Sequence, residues 1–339
     1  MNWDNKFASD VKAVPFSGIR KFFDLASSMK DVISLGVGEP DYAAPDKVIH
    51  ACIDSLKRKE TSYTSNWGLL ELREEIAKLF AKRYGLTYDP KDEIMVTVGV
   101  SEAIGLVMTT FLNPGDEVLI PDPAYLAYPA CVSIAHGVPV LVPTYAKDEF
   151  RLTVEELEKK VTPKTKAIMI TNPGNPTGTC LTEEQMKMLL DVAVEHDLYL
   201  VADEVYREFT YDGEPLHSFG KFDYGQENLI LIDSVSKRFS ACGARIGCLI
   251  SRNKDFMANA LKYCQARLSV ATLDQIAAAA LYSVGPEYFE QVRQEYKRRR
   301  DTVVRKLHEI PGVICECPRG AFYLMAALPV DNAEKFQLW

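Results

Sequence analysis

The stretch Ser234-Val235-Ser236-Lys237-Arg238-Phe239-Ser240-Ala241-Cys242-Gly243-Ala244-Arg245-Ile246-Gly247 sets a single lysine between small hydroxyl residues. An arginine follows it across a flexible turn. A lysine amine forms a Schiff base with an aldehyde or ketone, provided a fraction of it is neutral near pH 7. Two serine hydroxyls and a bidentate arginine suit a phosphate. The combination points to a carbonyl cofactor with a phosphate handle.

The elements that must position this lysine form a regular pattern. Short β-rich apolar runs occur at Glu93–Gly99, Glu117–Pro121, Val138–Pro143, Ala167–Thr171, Leu198–Ala202, Leu229–Asp233 and Ile246–Ser251. Helix-length segments separate most of them: Ser101–Leu112, Tyr125–Ala135, Thr153–Val161 and Thr182–His196. Such alternation predicts an α/β fold with a mostly parallel sheet and helices on both faces. The link from Asp233 to Ile246 is too short for a crossover helix, so the last strand is expected to run antiparallel.

Open sheets of this kind bind ligands beyond the carboxyl ends of their strands. There the chain places Gly99-Val100-Ser101-Glu102-Ala103, Asp122-Pro123-Ala124-Tyr125, Asn172-Pro173-Gly174-Asn175-Pro176-Thr177-Gly178, Asp203-Glu204-Val205-Tyr206 and Ser234 to Lys237. All five polar clusters are expected to converge on one edge.

The lysine run resembles the signature of the class I/II pyridoxal-phosphate (PLP) aminotransferases: small, apolar, small, Lys, then Arg-apolar-Gly. Three further segments are similar to that family: Gly38-Glu39-Pro40-Asp41, the Tyr63-Thr64…Gly68…Leu72-Arg73 pattern, and Asn175-Pro176-Thr177-Gly178. The resemblance implies fold type I of the aspartate aminotransferase superfamily. That means a large domain with a seven-stranded mostly parallel sheet flanked by helices, a smaller α+β domain, and a homodimer with shared active sites.

It also implies residue roles. Lys237 would hold pyridoxal 5'-phosphate as a Schiff base and, once freed, move the substrate Cα proton as base and acid. Asp203 would keep the cofactor's ring nitrogen protonated. Tyr206 and Asn175 would hydrogen-bond the ring 3′-oxygen, and Tyr125 would stack on the ring. The phosphate would take N–H groups from Val100 and Ser101 at a helix N-terminus, hydroxyls from Ser101 and Ser234, and the Arg245 fork. Tyr63 would reach the cofactor phosphate of the other subunit. The backbone N–H of Gly38 would face the substrate carboxylate, with Asn175 also on the substrate side. The reaction implied moves an amino group from an L-amino acid of aspartate, alanine or aromatic type to a 2-oxo acid. The same cofactor residues would serve a C–S lyase or a cyclopropane-carboxylate synthase, or a PLP-binding fragment impaired toward substrate.

Domain boundaries are expected at 1–45 (an arm belonging to the small domain, with a short helix near Ile19 to Ser28), 46–285 (the PLP-binding domain) and 286–339 (the small C-terminal domain). A helix is expected from Pro45 to Lys59 and another from Tyr288 to Leu307, with Arg298-Arg299-Arg300 as a solvated face. Gly320-Ala321-Phe322-Tyr323-Leu324-Met325 reads as a strand. The chain stops within a helical pattern, so the small domain is expected to be truncated. The family's arginine for the substrate α-carboxylate has no assignable residue. Arg267 reads as a surface residue, with a substrate-side cation as the alternative.

The bulk numbers agree with an enzyme of this size. The 339 residues are 47% hydrophobic and 25% charged, enough for a large core and a smaller domain. A net charge of −8 argues against nucleic acid or anionic membrane as a partner. Neither an apolar leader at Met1-Asn2-Trp3-Asp4-Asn5-Lys6 nor a bilayer-length apolar stretch stands out, so a cytoplasmic location is expected. The eight cysteines and five histidines are dispersed without metal-ligand spacing. Reduced cysteines and no metal are therefore expected.

Overall fold

The computed structural model describes residues 6–338, apart from 17, 19–27, 34, 35, 37 and 44. The helix expected near Ile19 to Ser28 lies almost wholly outside the described residues. A short α1 (Ser9–Ala13) is followed by α2 (Asp46–Lys57) and α3 (Leu70–Leu79), which runs on into a π-helical turn, Phe80–Tyr84. The alternating part comprises β1 (Ile94–Thr97), α4 (Gly99–Phe111), β2 (Glu117–Asp122), α5 (Ala127–Ile134) and β3 (Val138–Pro143). It continues with α6 (Val154–Glu158), β4 (Thr165–Thr171), α7 (Glu183–Glu195), β5 (Tyr199–Asp203) and β6 (Leu229–Ser234). The one-turn α8 (Val235–Arg238) leads to β7 (Gly247–Ile250). Helices α9 (Lys254–Arg267), α10 (Thr272–Tyr282) and α11 (Pro286–His308), the hairpin β8 (Ile314–Cys315) and β9 (Ala326–Ala327), and α12 (Ala333–Leu338) complete the chain.

The main sheet has seven strands in the order β1-β7-β6-β5-β4-β2-β3. The pairs β2–β3, β2–β4, β4–β5 and β5–β6 are parallel, while β7 is antiparallel to both β1 and β6. The reversed last strand is thus as its short connection requires. Each central strand is buried on both faces, so its side chains alternate between two cores. Ile94, Val96, Ile168, Ile170, Leu200 and Leu231 enter a cluster with α3, α7 and α10. Met95, Met169, Val201, Ile230, Ile232 and Leu249 enter one with α4, α5 and α9. Each such fully buried side chain contributes roughly 1.5–3 kcal/mol.

Helix boundaries follow local chemistry. The Thr182 hydroxyl accepts from Gln185 N while the Gln185 side chain accepts from Thr182 N, so α7 starts at a capping box. Helix α4 begins at Gly99, two residues earlier than the hydroxyl of Ser101 implied, and Gly99 itself takes φ +69°, a conformation open to glycine.

One expected element is not a strand. Ala321 is fully buried at φ +55°, in the left-handed region, so the chain turns within Gly320–Met325. Gly320 makes an isolated bridge to Thr210, and the true hairpin partner of β8 is Ala326–Ala327. The cause is packing. Phe322 and Tyr323 lie against a third cluster formed by Val205, Tyr206, Phe209, Tyr211, Val292 and Tyr296. That cluster joins α11 to the segment following β5. No helix among the described residues is long and apolar enough to cross a membrane.

Candidate active site

Asp203 ends β5 and is 3% exposed. The Tyr128 hydroxyl donates to its Oδ2 at 2.7 Å and Val205 N donates to its Oδ1 at 3.2 Å. Among the described residues no cation lies within ion-pairing distance of it. Burial, with a smaller push from Asp233, lifts its carboxyl to about 6; the two hydrogen bonds and the Lys237 charge act against that rise. Burial holds Tyr128 well above its ordinary value, so it remains a donor.

Lys237 sits in α8, whose first turn is capped by Ser234: its hydroxyl oxygen accepts from Ser236 N at 3.2 Å. The Lys237 amine donates to the Gly38 carbonyl at 2.6 Å and lies 3.9 Å from the Cys242 thiol. A side chain at Gly38 would overlap the Tyr323 hydroxyl, so the arm approaches the lysine only as bare backbone. Tyr206 receives Asn175 Nδ2 at 3.4 Å and shares a 2.8 Å hydrogen bond with the Tyr323 hydroxyl. Burial keeps the Tyr206 phenol well above its ordinary value. Tyr125 meets the Tyr128 ring edge-on at 5.4 Å.

Arg245 anchors the opposite wall. Its Nη1 donates to the Cys242 carbonyl at 3.0 Å, and its guanidinium fills the place that a side chain at Gly99 would take. A Cβ at Gly247 would lie 2.7 Å from the Gly99 carbonyl carbon, so the starts of α4 and β7 pack backbone to backbone. The guanidinium therefore stands beside the N-terminal amides of α4, including Val100 and Ser101, an arrangement suited to an anion.

These positions test whether PLP fits. A buried carboxylate with no cation beside it among the described residues meets the need of a protonated ring nitrogen. The amine of Lys237 is close enough for its charge to act on that carboxylate, and an arginine beside a helix N-terminus suits the phosphate. The residues fit the group. Among the described residues no trio of His, Cys, Asp or Glu is placed to hold a metal ion.

Of the residues picked out in the sequence, Lys237, Gly38, Asp203, Asn175, Tyr206, Tyr125, Ser234 and Arg245 are tied directly or through one neighbour into this cleft. Tyr63 is 82% exposed. Arg267 is not a surface arginine. It pairs with Glu102 at 3.1 Å and donates to the Asn66 carbonyl at 3.2 Å, fixing the first turn of α4. Two contributors were not singled out in the sequence. Tyr128, three residues after Tyr125, had a helical-spacing signal. Tyr323 had none, since its place depends on the turn at Ala321.

Comparison with known proteins gives one answer. The family model described as "Aminotransferase class I and II" matches residues 30–338. The aromatic-amino-acid aminotransferase 2 of Thermococcus litoralis is 42% identical over 311 residues, 91% of this chain and 79% of the relative. The aspartate aminotransferase of Pyrococcus abyssi is also 42% identical, again over 91% of this chain and 79% of its own length. The crystal structure of an aromatic aminotransferase from Pyrococcus horikoshii superposes with a TM-score of 0.82 at 40% identity, covering 90% of this chain and 82% of that one.

Proposed function

The chain belongs to the class I and II aminotransferases, pyridoxal-phosphate enzymes that pass an amino group from an amino acid to a 2-oxo acid, and on that premise we propose how its residues divide the work. When bound, PLP supplies the carbonyl that takes up the amino group and a protonated ring that accepts electrons from the Cα–H bond. Lys237 holds its aldehyde carbon and, when free, carries the proton taken from the substrate Cα. Asp203 holds the proton on the ring nitrogen. Tyr206 and Asn175 bind the ring 3′-oxygen, and Tyr125 packs on the ring. Ser234, Ser101, the Val100 amide and Arg245 hold the phosphate. Gly38 offers its N–H to the substrate carboxylate. The observation that carries this assignment is the buried Asp203, which has no cation at ion-pairing distance among the described residues and whose carboxyl feels the Lys237 charge.

We propose aromatic L-amino acids as the preferred donors. The Tyr206, Phe322 and Tyr323 rings, with centroids 5.1–5.5 Å apart, wall the cleft beside Gly38. The relative from Thermococcus litoralis is named for the same substrates. A half-reaction screen on the cofactor-loaded protein tests this, each amino acid being added without an acceptor while the visible cofactor band is followed. Phenylalanine and tyrosine should consume the band fastest and leave one equivalent of 2-oxo acid. Aspartate or alanine outrunning them tenfold would sink the aromatic assignment. Repeated turnover without an acceptor would mark elimination instead.

We further propose that two copies share their sites, with Tyr63 reaching the partner's phosphate. Ile49, Ile53 and Leu56 recur at helical spacing on α2 and are exposed, as is Tyr63. Sedimentation of the loaded protein checks the two-copy state; a monomer would exclude it.

A further inference from the structure

The Tyr206 hydroxyl has more neighbours than its assigned role requires. It has one proton to give and two lone pairs to accept with. Asn175 Nδ2 approaches one side at 3.4 Å, and the Tyr323 hydroxyl approaches another at 2.8 Å. The amide nitrogen can only donate, so one lone pair is used there. Between the two phenols, either oxygen can be the donor. If Tyr206 donates to Tyr323, its single proton is spent and it has nothing to offer the cofactor. If Tyr323 donates to Tyr206, both lone pairs of Tyr206 are filled and its proton must point elsewhere.

We infer that Tyr323 is a positioning residue for the cofactor: it donates to Tyr206 and so turns the Tyr206 proton onto the ring 3′-oxygen. The inference rests on the site reading above. An ionised 3′-oxygen is the strongest acceptor in the cleft, so it selects the Tyr323→Tyr206→oxygen order, and each bond in the chain polarises the next. The placement of Tyr323 is rigid enough for the task. Its ring packs on Phe322 at a 33° tilt with centroids 5.1 Å apart and meets Tyr206 edge-on at 5.5 Å, and its hydroxyl stands over the bare backbone of Gly38. Burial lifts its phenol to about 12, so it carries its proton at every working pH. The turn at Ala321 is what delivers it, since a strand through this segment would send residue 323 elsewhere.

Tyr323→Phe removes the hydroxyl and keeps the ring. The measurement is a spectrophotometric pH titration of the pyridoxal-phosphate-loaded protein, following the visible band of the Lys237-bound cofactor, for wild type, Tyr206→Phe, Tyr323→Phe and the double variant. Thermal unfolding of the cofactor-free proteins checks that the ring still packs. Tyr323→Phe should raise the band's midpoint by about half a pH unit, the scale of one hydrogen bond. Tyr206→Phe should raise it further, and the double variant should match Tyr206→Phe alone, because Tyr323 acts only through Tyr206. A midpoint unchanged in Tyr323→Phe but raised in Tyr206→Phe overturns the inference and leaves the site reading standing. Shifts that add in the double variant also overturn it. No shift in any variant overturns both the inference and the role given to Tyr206.

Discussion

Two pairs of neighbouring residues face opposite ways, and their surroundings could hardly differ more. Asp203 and Lys237 face the cleft. Glu204 and Arg238, each the next residue along, face the interior behind it. There Glu204 pairs with Arg207, and accepts from the Ser218 hydroxyl at 2.8 Å and Phe219 N at 3.0 Å. Arg238 donates to Asp233 at 2.5 Å and lies 3.9 Å from Glu208, which Arg83 grips with two bonds of 2.6 and 2.5 Å and Tyr84 also caps. Arg207 lies 3.7 Å from Asp233 and packs on the Tyr84 ring at 4.4 Å. Three arginines thus face three carboxylates, in or at the edge of the interior. The rear set is charge-balanced without help from outside. Among the described residues the front set leaves a buried carboxylate without a cation. A folded chain tolerates such a defect where a ligand completes it.

The difference is sharpest between Lys237 and Arg238. Lys237→Ala should reduce turnover by about 10⁴-fold or more and abolish the visible cofactor band, while unfolding free energy in urea changes by less than about 1 kcal/mol. Arg238→Leu should do the reverse first. It leaves Asp233 in a dry interior with only Arg207 at 3.7 Å as a cation and should cost about 3–5 kcal/mol in the same unfolding measurement. If Lys237→Ala proved the more destabilising of the two, the division between front and rear would be wrong.

Much of this was legible in the sequence, for physical reasons that can be named. Alternating strands and helices with polar strand ends announce a ligand edge, and the short Asp233–Ile246 link announces the reversed β7. What was not legible depends on which way adjacent charges turn. Asp203-Glu204 and Lys237-Arg238 each read as two charges in a row. Only the strand-end geometry and the distant partners Arg83 and Ser218 separate them. The 320–325 segment misled because its residue types favour strand, while the packing of Phe322 and Tyr323 on Tyr296 and Phe209 requires a turn.

Asp203 gives the comparison a pH signature. Its folded carboxyl titrates near 6, above the ordinary aspartate value of 3.8. A raised carboxyl favours the folded state when protonated. Its contribution is therefore complete below about pH 4 and is lost as pH rises through 6, a loss on the order of 3 kcal/mol. In cofactor-free protein, Asp203→Asn should be more stable than wild type at pH 8 by up to about that amount, and nearly equal to it at pH 4. Bound PLP should erase the gain, since a protonated ring nitrogen stabilises the ionised form. A variant that is no more stable than wild type at pH 8 would show that the cleft does not leave this carboxylate uncompensated.

The smallest expected effect tests the rear set from the other side. If Glu204 and Arg207 matter mainly by cancelling each other, removing both should hurt less than removing either. Arg207→Met alone leaves Glu204 buried as a charge with only the Ser218 and Phe219 donors, and should cost about 3–5 kcal/mol. Glu204→Gln alone leaves Arg207 with Asp233, already claimed by Arg238 at the shorter distance. In the double variant, the introduced glutamine still accepts from Phe219 N, and the introduced methionine fills the volume beside Phe80 and Tyr84. The double variant should therefore lose less than about 2 kcal/mol, with a coupling of roughly 2–3 kcal/mol between the two sites. Additive losses in urea unfolding would mean that each charge serves a partner outside the pair, and the rear network would then be no more self-sufficient than the cleft it supports.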